Sequence, residues 1–545
     1  MWPVLLPYCF MSLEKNKTIR LEEVSLRLNE EESCLAAKIA AILGVPAKEI
    51  LSYRLVKRAI DSRKKNDILL VYSVDAVVDN PAAVKLNPRH RARFVEPFVY
   101  EIEKIAVPPE RKPVVVGSGP CGLFAAHVLA SAGLRPLLIE RGADVDSRAK
   151  AVEDFLKNRK LDTRSNIQFG EGGAGTFSDG KLYTLVNDPR SSYIFAELIK
   201  AGAPEEIAFS ATPHIGTDKL RVVVKNIRQR MMELGAEVRF NTCLTDLEVS
   251  EGRVVGVVLN DEERISADTV ILATGHSARD TYQMLFDAGV EIKPKPFAMG
   301  VRIEHRAEMI GRSQYGSHYG HEKLGAAKYK LVQHLKGHRS VYTFCMCPGG
   351  YVMGATSEEG CVVTNGMSEY AQDGENSNSA LLVSVLPDDF SSAHPLAGIE
   401  FQRQWERQAF VAGGGDYSAP AQLVGDFLAG RPSMAAGRTK PSYRPGVKMT
   451  SLDGCLPDFI LSSLRQAIPL LNRKIKGFAD PEAVLTGVET RSSSPLRLFR
   501  GDDFESNIRG LYPAGEGAGY AGGIVSSALD GLAVAEAVID KHSNP

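Results

Sequence analysis

Residues 113–142, PVVVGSGPCGLFAAHVLASAGLRPLLIERG, constrain this chain more than any other stretch. Val114–Val116 is an apolar run of strand type, and Gly117-Ser118-Gly119-Pro120-Cys121-Gly122 is a glycine-rich turn. Leu123–Ala132 has the small residues of a closely packed helix, and Pro136–Ile139 is a second strand ending at Glu140 and Arg141. Strand, turn, helix, strand and terminal acid in this order form the βαβ unit that binds a dinucleotide. Gly117 permits the tight turn, Gly119 lets a pyrophosphate approach the backbone, and Gly122 lets helix and strand pack closely. The helix N-terminus meets the phosphate charge. Glu140, 23 positions after Gly117, is placed to accept hydrogen bonds from an adenosine ribose. Cys121 serves as a small residue inside the turn.

The fingerprint does not choose among dinucleotides, but two later segments do. Near the C-terminus, Leu511–Pro513 reads as a short strand. It is followed by a glycine-rich loop with Gly515, Glu516, Gly522 and Gly523, and by a helical pattern starting at Ile524. A flavin needs such a second site: an acid for the ribityl hydroxyls, and helix N–H groups that stabilise negative charge at the N1/O2 edge. Between the two ends, Ala267–Gly275 is a strand ending in Ala273-Thr274-Gly275, where the chain passes beside the cofactor again. Three dispersed pieces of one site point to FAD.

The loop Gly170–Lys181, with Gly172, Gly173, Ala174 and Gly175, has too many glycines for a packed element and exposes backbone N–H groups to a cofactor. Lys181 is either a flavin neighbour or a surface charge. Cys345 and Cys347 share a strand face by alternation, yet a C-x-C ring is strained as a disulfide. The pair is open to three readings: packing, substrate-site thiols, and redox or metal chemistry. No second Cys/His cluster has ligand spacing, so no metal site is expected. Arg491, among hydroxyls, either clamps a carboxylate or phosphate or makes a structural ion pair. His214, His276 and Arg302 lie at predicted junctions with the substrate region.

The two ends and the ATG strand resemble the two-dinucleotide-fold flavoproteins related to fumarate reductase and L-aspartate oxidase. Three segments, Phe169–Leu182, Phe344–Tyr351 and Leu485–Leu496, resemble more narrowly a bacterial family of uncharacterised FAD-dependent, or NAD(FAD)-utilising, dehydrogenases. The resemblance implies noncovalent FAD and oxidoreductase chemistry, without a substrate. No second GxGxxG stands in strand–helix context. The electron donor is therefore NADH or NADPH docked directly over the flavin, a quinone, a carrier protein, or the substrate itself.

The expected fold is α/β: a discontinuous Rossmann-like FAD-binding domain with an inserted α+β substrate domain and a small α+β N-terminal domain. A flexible extension covers 1–17, the N-terminal domain 18–106, and a linker 107–113. The FAD-binding domain takes residues 113–284, is interrupted by the substrate or cap domain over 285–485, and resumes over 486–545. Predicted strands include 18–28, 50–59, 68–78, 237–249 and 253–259, with helices over 32–43 and 217–234.

At 545 residues, with 44% hydrophobic and 24% charged residues and a net charge of −1, the chain reads as a globular protein of two or three domains. No apolar run is long enough for a membrane span, and the apolar opening lacks the basic front and cleavage site of a secretory signal. Met11 is an alternative start to Met1. Eight cysteines make no disulfide framework, and with the Rossmann-type fold they point to the cytoplasm. Between Lys48 and Arg93, eleven Lys/Arg face five Asp/Glu. This reads as a solvated basic face, and an acidic protein or RNA is the rival partner. Two other functions stay open: a flavoenzyme that modifies or binds RNA, and a non-catalytic FAD-fold binding protein.

Overall fold

The computed structural model describes residues 17–96 and 98–543. The expected extension over 1–17 and the alternative start at Met11 therefore lie outside the described residues, apart from Lys17. Val114–Val116 is buried on both faces, which suits the interior of a parallel sheet. It pairs with Leu137–Ile139 on one side and Val270–Leu272 on the other, and Leu511–Pro513 and Glu237–Arg239 form the edges. Alternation divides the side chains. Val115, Leu138, Ile271 and Tyr512 pack under helices Pro120–Ala132, Thr217–Glu233 and Ile524–Ser543. Val114, Val116, Leu137, Ile139, Val270 and Leu272 face an antiparallel three-stranded layer made of Leu244–Ser250, Arg253–Leu259 and Glu263–Ser266.

The predicted strand over 237–249 is two strands. Asn241 takes a left-handed φ of 54°, and the chain turns there from the parallel sheet into the antiparallel layer. The predicted helix over 32–43 opens as a 3-10 turn at Glu32–Cys34 before Leu35–Leu43, and Gly44 ends it at φ 68°.

The chain leaves the parallel layer through Ile292–Pro294 and returns through Leu496–Leu498, and these two strands pair antiparallel. Between them lies a seven-stranded sheet centred on Phe297–Arg306, which pairs with Asn376–Val385 and Val484–Glu489. The N-terminal sheet places Leu69–Val78 between Ile50–Asp61 and Thr18–Arg27, with Leu35–Leu43 alongside. Its apolar core is continuous with that of the seven-stranded sheet. Lys323 clamps the junction by donating to the carbonyls of Leu28 and Glu30 at 3.2 and 3.1 Å.

Within the basic stretch from Lys48 to Arg93, Arg54, Arg58, Arg63, Arg91 and Arg93 make ion pairs. Asp75 receives Arg20 and Arg54, Glu22 receives Arg91 and Arg93, and Asp61 receives Arg63. Among the described residues no helix is long and apolar enough to cross a membrane.

Candidate functional site

A cavity of about 590 Å³ opens where the parallel strands end, bounded on the far side by the seven-stranded sheet. The glycines around it divide into two kinds. Gly117 has φ 100°, and a Cβ there would stand 2.4 Å from the Ala273 carbonyl oxygen. A Cβ on Gly122 would stand 1.9 Å from the Gly117 carbonyl oxygen. Both glycines exist so that backbones can touch. Gly119 is different: its nearest neighbour would be the Gly173 Cα at 3.8 Å, and Gly275, Gly522 and Gly523 would meet nothing within 4 Å. These four present bare backbone to open space.

Two helix N-termini converge on the same cavity. Pro120–Ala132 begins at Gly119 with no side-chain cap, which leaves its first N–H groups unpaired by side chains. Ile524–Ser543 crosses that helix so closely that a Cβ on Gly531 would lie 2.2 Å from the Cys121 carbonyl oxygen. Cys121 is buried against Gly515, as a small residue must be. Oriented N–H groups with a positive end suit a phosphate or an electron-rich ring edge.

Glu140 lines the cavity, but its carboxylate is already engaged by the chain. One oxygen accepts from the Ser118 N–H and hydroxyl at 2.9 and 2.8 Å. The other accepts from the N–H groups of Gly142 and Gly170 at 3.0 and 2.9 Å. A ribose hydroxyl reaching Glu140 would share it with these donors. Arg141 also lines the cavity. It is held bidentately by Asp280 and its guanidinium lies 4.4 Å from the Phe169 ring centroid.

Arg148, which no sequence motif marks, holds the glycine loop. Fully buried, it donates to the carbonyls of Asn166, Ile167, Gly170, Glu171 and Gly173 at 2.7–3.2 Å. Burial pushes its pKa down to about 9. The loop it organises brings Gly173, Ala174 and Gly175 to the cavity wall. Nothing in a helix reading VDSRAKAVEDFLKN distinguishes this arginine from a solvated one.

Glu516 lines the cavity below the C-terminal helix. It lies 3.2 Å from His276 Nδ1 and accepts from the Gly523 N–H at 3.4 Å. Burial opposes its ionisation, but His276 and the Gly523 N–H hold it below the usual carboxylate range. His276 Nε2 is buried with no hydrogen-bond partner. Tyr282 braces this corner: its hydroxyl lies 2.8 Å from both the Gly275 and Gly517 carbonyl oxygens, and donates to one of them.

Three cofactor candidates do not reach the cavity. Ser118, Gly122 and Gly172 stand behind its wall: Ser118 bonds Glu140, Gly122 packs on Gly117, and Gly172 packs on Thr176. Gly117, Gly119, Pro120, Cys121, Thr274, Gly275, Gly515, Glu516, Gly522, Gly523 and Ile524 do line it.

The catalytic candidates separate similarly. His214 is not at the cavity, although Lys181 bridges to it through backbone; its ring stacks on Tyr370 and its Nε2 lies 3.1 Å from the Tyr370 carbonyl oxygen. Arg491 edges the cavity but makes the structural ion pair. It bonds Glu406 at 3.0 and 2.8 Å and the hydroxyls of Ser277 and Ser357. Arg279 bonds the other side of Glu406 at 2.9 and 2.7 Å. Glu358, Cys361 and Glu406 thus come together with their carboxylates already compensated by Arg279, Arg403 and Arg491. Arg302, fully buried, is bound bidentately by Glu489. Lys181 and Cys345 line the cavity, and Cys347 is buried directly behind them.

Several family models match the chain. A model described as FAD-dependent protein, C-terminal domain-like, covers residues 296–492, and an NAD(P)-binding Rossmann-like domain covers 115–174. A flavin-containing amine oxidoreductase model covers 183–317, and a domain of unknown function 18–77. An uncharacterised protein of Clostridium beijerinckii is 48% identical over 97% of this chain and 99% of its own length. A thiamine thiazole synthase of Methanococcus aeolicus is 30% identical over 30% of this chain and 55% of that protein. Among solved structures, an E. coli quinol fumarate reductase matches 80% of this chain and 70% of that chain, at 13% identity and a TM-score of 0.34. A flavin-dependent brominase matches 80% and 81%, at 13% identity and a TM-score of 0.38. With a relative of this identity along its whole length and an FAD-dependent family model over its seven-stranded sheet, the chain belongs to the family of FAD-dependent proteins that includes the uncharacterised clostridial protein.

Proposed function

We propose that this chain is an oxidoreductase that binds FAD without a covalent bond and uses it to oxidise or reduce a small molecule admitted beside the seven-stranded sheet. The observation that carries the reading is the set of open glycines, Gly119, Gly275, Gly522 and Gly523, around one cavity fed by two helix N-termini. Gly119, Gly173 and the first turn of Pro120–Ala132 would receive the pyrophosphate, and Glu140 and Arg141 would flank the adenosine. Glu516 would take the ribityl hydroxyls. The start of Ile524–Ser543 would face the flavin edge where charge builds on reduction. Bound there, the flavin supplies the two-electron chemistry, and the chain supplies position and field.

The cavity mouth carries Tyr183, Leu185 and Val186, with Leu185 91% exposed. A nicotinamide, a quinone or a carrier protein could each approach from that side. The test is the visible spectrum of freshly purified protein, followed anaerobically while NADH and then NADPH are added. Bands near ~370 and ~450 nm that bleach with one nucleotide would support the reading and name the donor. Bands that persist would keep FAD and turn the search to quinones, carrier proteins or oxidisable substrates. A colourless protein that refuses added FAD would overturn it.

A further inference from the structure

The strand Val341–Cys347 carries an irregularity at the cavity. Its partner residues step from Ala380 to Asn378 while it steps from Phe344 to Cys347, so one extra residue is accommodated. Cys345 sits in that bulge with a left-handed φ of 45°, rare for a residue with a Cβ. Its carbonyl oxygen is tied down by Arg302 Nη1 at 2.8 Å. Strained backbone held by a buried guanidinium is a device for aiming a side chain.

The sulfurs are aimed at one ammonium. Lys181 Nζ lies 3.8 Å from Cys345 Sγ and 3.6 Å from Cys347 Sγ, and 3.1 Å from Asp179 Oδ2. Asp179 is fixed by Ser368 and Gln372. The two thiols differ in access: Cys345 is partly exposed and lines the cavity, whereas Cys347 is fully buried. In a regular strand, residues two apart lie roughly 6.6 Å apart, near the upper limit for a disulfide, and a bulge changes that spacing.

We propose that Cys345 and Cys347 form a thiol–disulfide couple, with Cys345 the thiolate that meets a small disulfide in the cavity and Cys347 the resolving thiol behind it. Cys345 attacks one sulfur of the disulfide, forming a mixed disulfide and expelling one thiolate. Cys347, losing its proton, then attacks Cys345 Sγ and expels the second half as thiolate, which takes up that proton. The small disulfide is reduced by two electrons, and the cysteine pair is oxidised by two. This is ordinary exchange chemistry, for which a low-pKa attacking thiol and a nearby second thiol are the requirements.

The surroundings favour that division of roles. A hydrogen bond from Cys347 and the charges of Lys181 and Arg302 hold the Cys345 thiol well below its ordinary range, against burial and Asp179. Cys347 is driven well above it by the Cys345 thiolate and by burial. The other titratable groups facing the pair, among the described residues, are Glu489, bound to Arg302, Tyr183 and the buried Tyr329, with His214 and Lys328 acting through Asp179. The couple stands on these side chains alone and does not rest on the flavin reading.

Two measurements on the full-length protein test it. In the first, alkylation of Cys345 by iodoacetamide is mapped by peptide mass across pH. Its rate should be half-maximal well below the free-thiol value of about 8.5, and Lys181→Met should slow it about tenfold or more at neutral pH. In the second, oxidised glutathione is the probe. Wild type should yield a 345–347 peptide two hydrogens lighter, Cys347→Ser should accumulate the glutathione adduct on Cys345, and Cys345→Ser should give neither product. An ordinary thiol profile at Cys345 would overturn the proposal. So would a Cys347→Ser protein that traps no adduct, a measurement that holds even if Lys181→Met fails to fold.

Discussion

Replacing Gly119 and Gly122 separately with alanine separates a glycine that leaves room for a cofactor from one that leaves room for the chain. Gly119 has φ −68° and ψ 179°, which alanine adopts readily, and its Cβ would have 3.8 Å to the nearest atom. Restricting the unfolded chain favours Gly119→Ala by roughly 0.4–1 kcal/mol. Losing glycine at a helix N-cap opposes it by roughly 0.5–1 kcal/mol. The terms offset, so the flavin-free variant should unfold within about 1 kcal/mol of wild type. Yet the methyl fills the gap toward Gly173 where the pyrophosphate is proposed to lie. FAD affinity should fall at least about tenfold, or ~1.4 kcal/mol. Gly122→Ala differs because its Cβ would stand 1.9 Å from one backbone atom and 3.0 Å from the next. Backbone must move, which costs about 1–3 kcal/mol or more before any flavin is added. Urea unfolding of the deflavinated proteins and fluorescence titration with FAD give both numbers. A Gly119→Ala protein that binds FAD like wild type, or that loses as much apo stability as Gly122→Ala, would refute the division.

Arg148→Met leaves four buried carbonyls and the part-buried one of Gly173 without this donor; at about 1–3 kcal/mol for a single unpaired buried group, the urea midpoint should fall sharply and flavin retention with it. A change below about 1 kcal/mol would count against its organising role. Glu406→Gln removes the charge shared by Arg279 and Arg491, leaving Glu358 as their remaining acid partner, and should cost up to about 3–5 kcal/mol in a denaturant titration. Those arginines outweigh burial and hold the Glu406 carboxyl far below its ordinary range. Its contribution is therefore complete above the unfolded value of about 4.3 and is lost as pH falls toward the folded one. The acid limb of stability should flatten in the Gln variant, and an unchanged limb would contradict the assignment. Glu140→Ala removes the acceptor for the Ser118, Gly142 and Gly170 N–H groups, so apo stability and flavin content should drop together. Glu516→Ala should lower flavin content with much less effect on the unfolding midpoint.

What the sequence made legible depends on whether a residue answers to its own backbone or to a distant partner. Gly117 and Gly122 answer to backbone: each must be glycine because a carbonyl oxygen lies where a Cβ would be, and the motif spacing records that need. The three strands that meet as Val114–Val116, Val270–Leu272 and Leu511–Pro513 were likewise readable from local patterns. Arg148, Arg279 and Glu406 answer to groups brought near only by folding, and no local spacing marks them. The same physics explains the mixed outcome at Arg491, whose two readings could be separated only by Glu406, 85 residues away. His214 is brought beside Lys181 by a backbone bridge, but its ring turns to Tyr370, because a bridge fixes main chains and leaves side chains to their packing. Strand alternation predicts that Cys345 and Cys347 share a face; in the structure both sulfurs lie within 3.8 Å of Lys181 Nζ, but the strand is irregular between Phe344 and Cys347. Alternation could not give the bulge that makes one sulfur accessible and the other buried, since an extra residue in a strand appears only against the register of its partner. The asymmetry of the pair, which decides which thiol attacks and which resolves, is therefore a property of the pairing with Asn376–Val385, and of Lys181 lying within reach of both sulfurs.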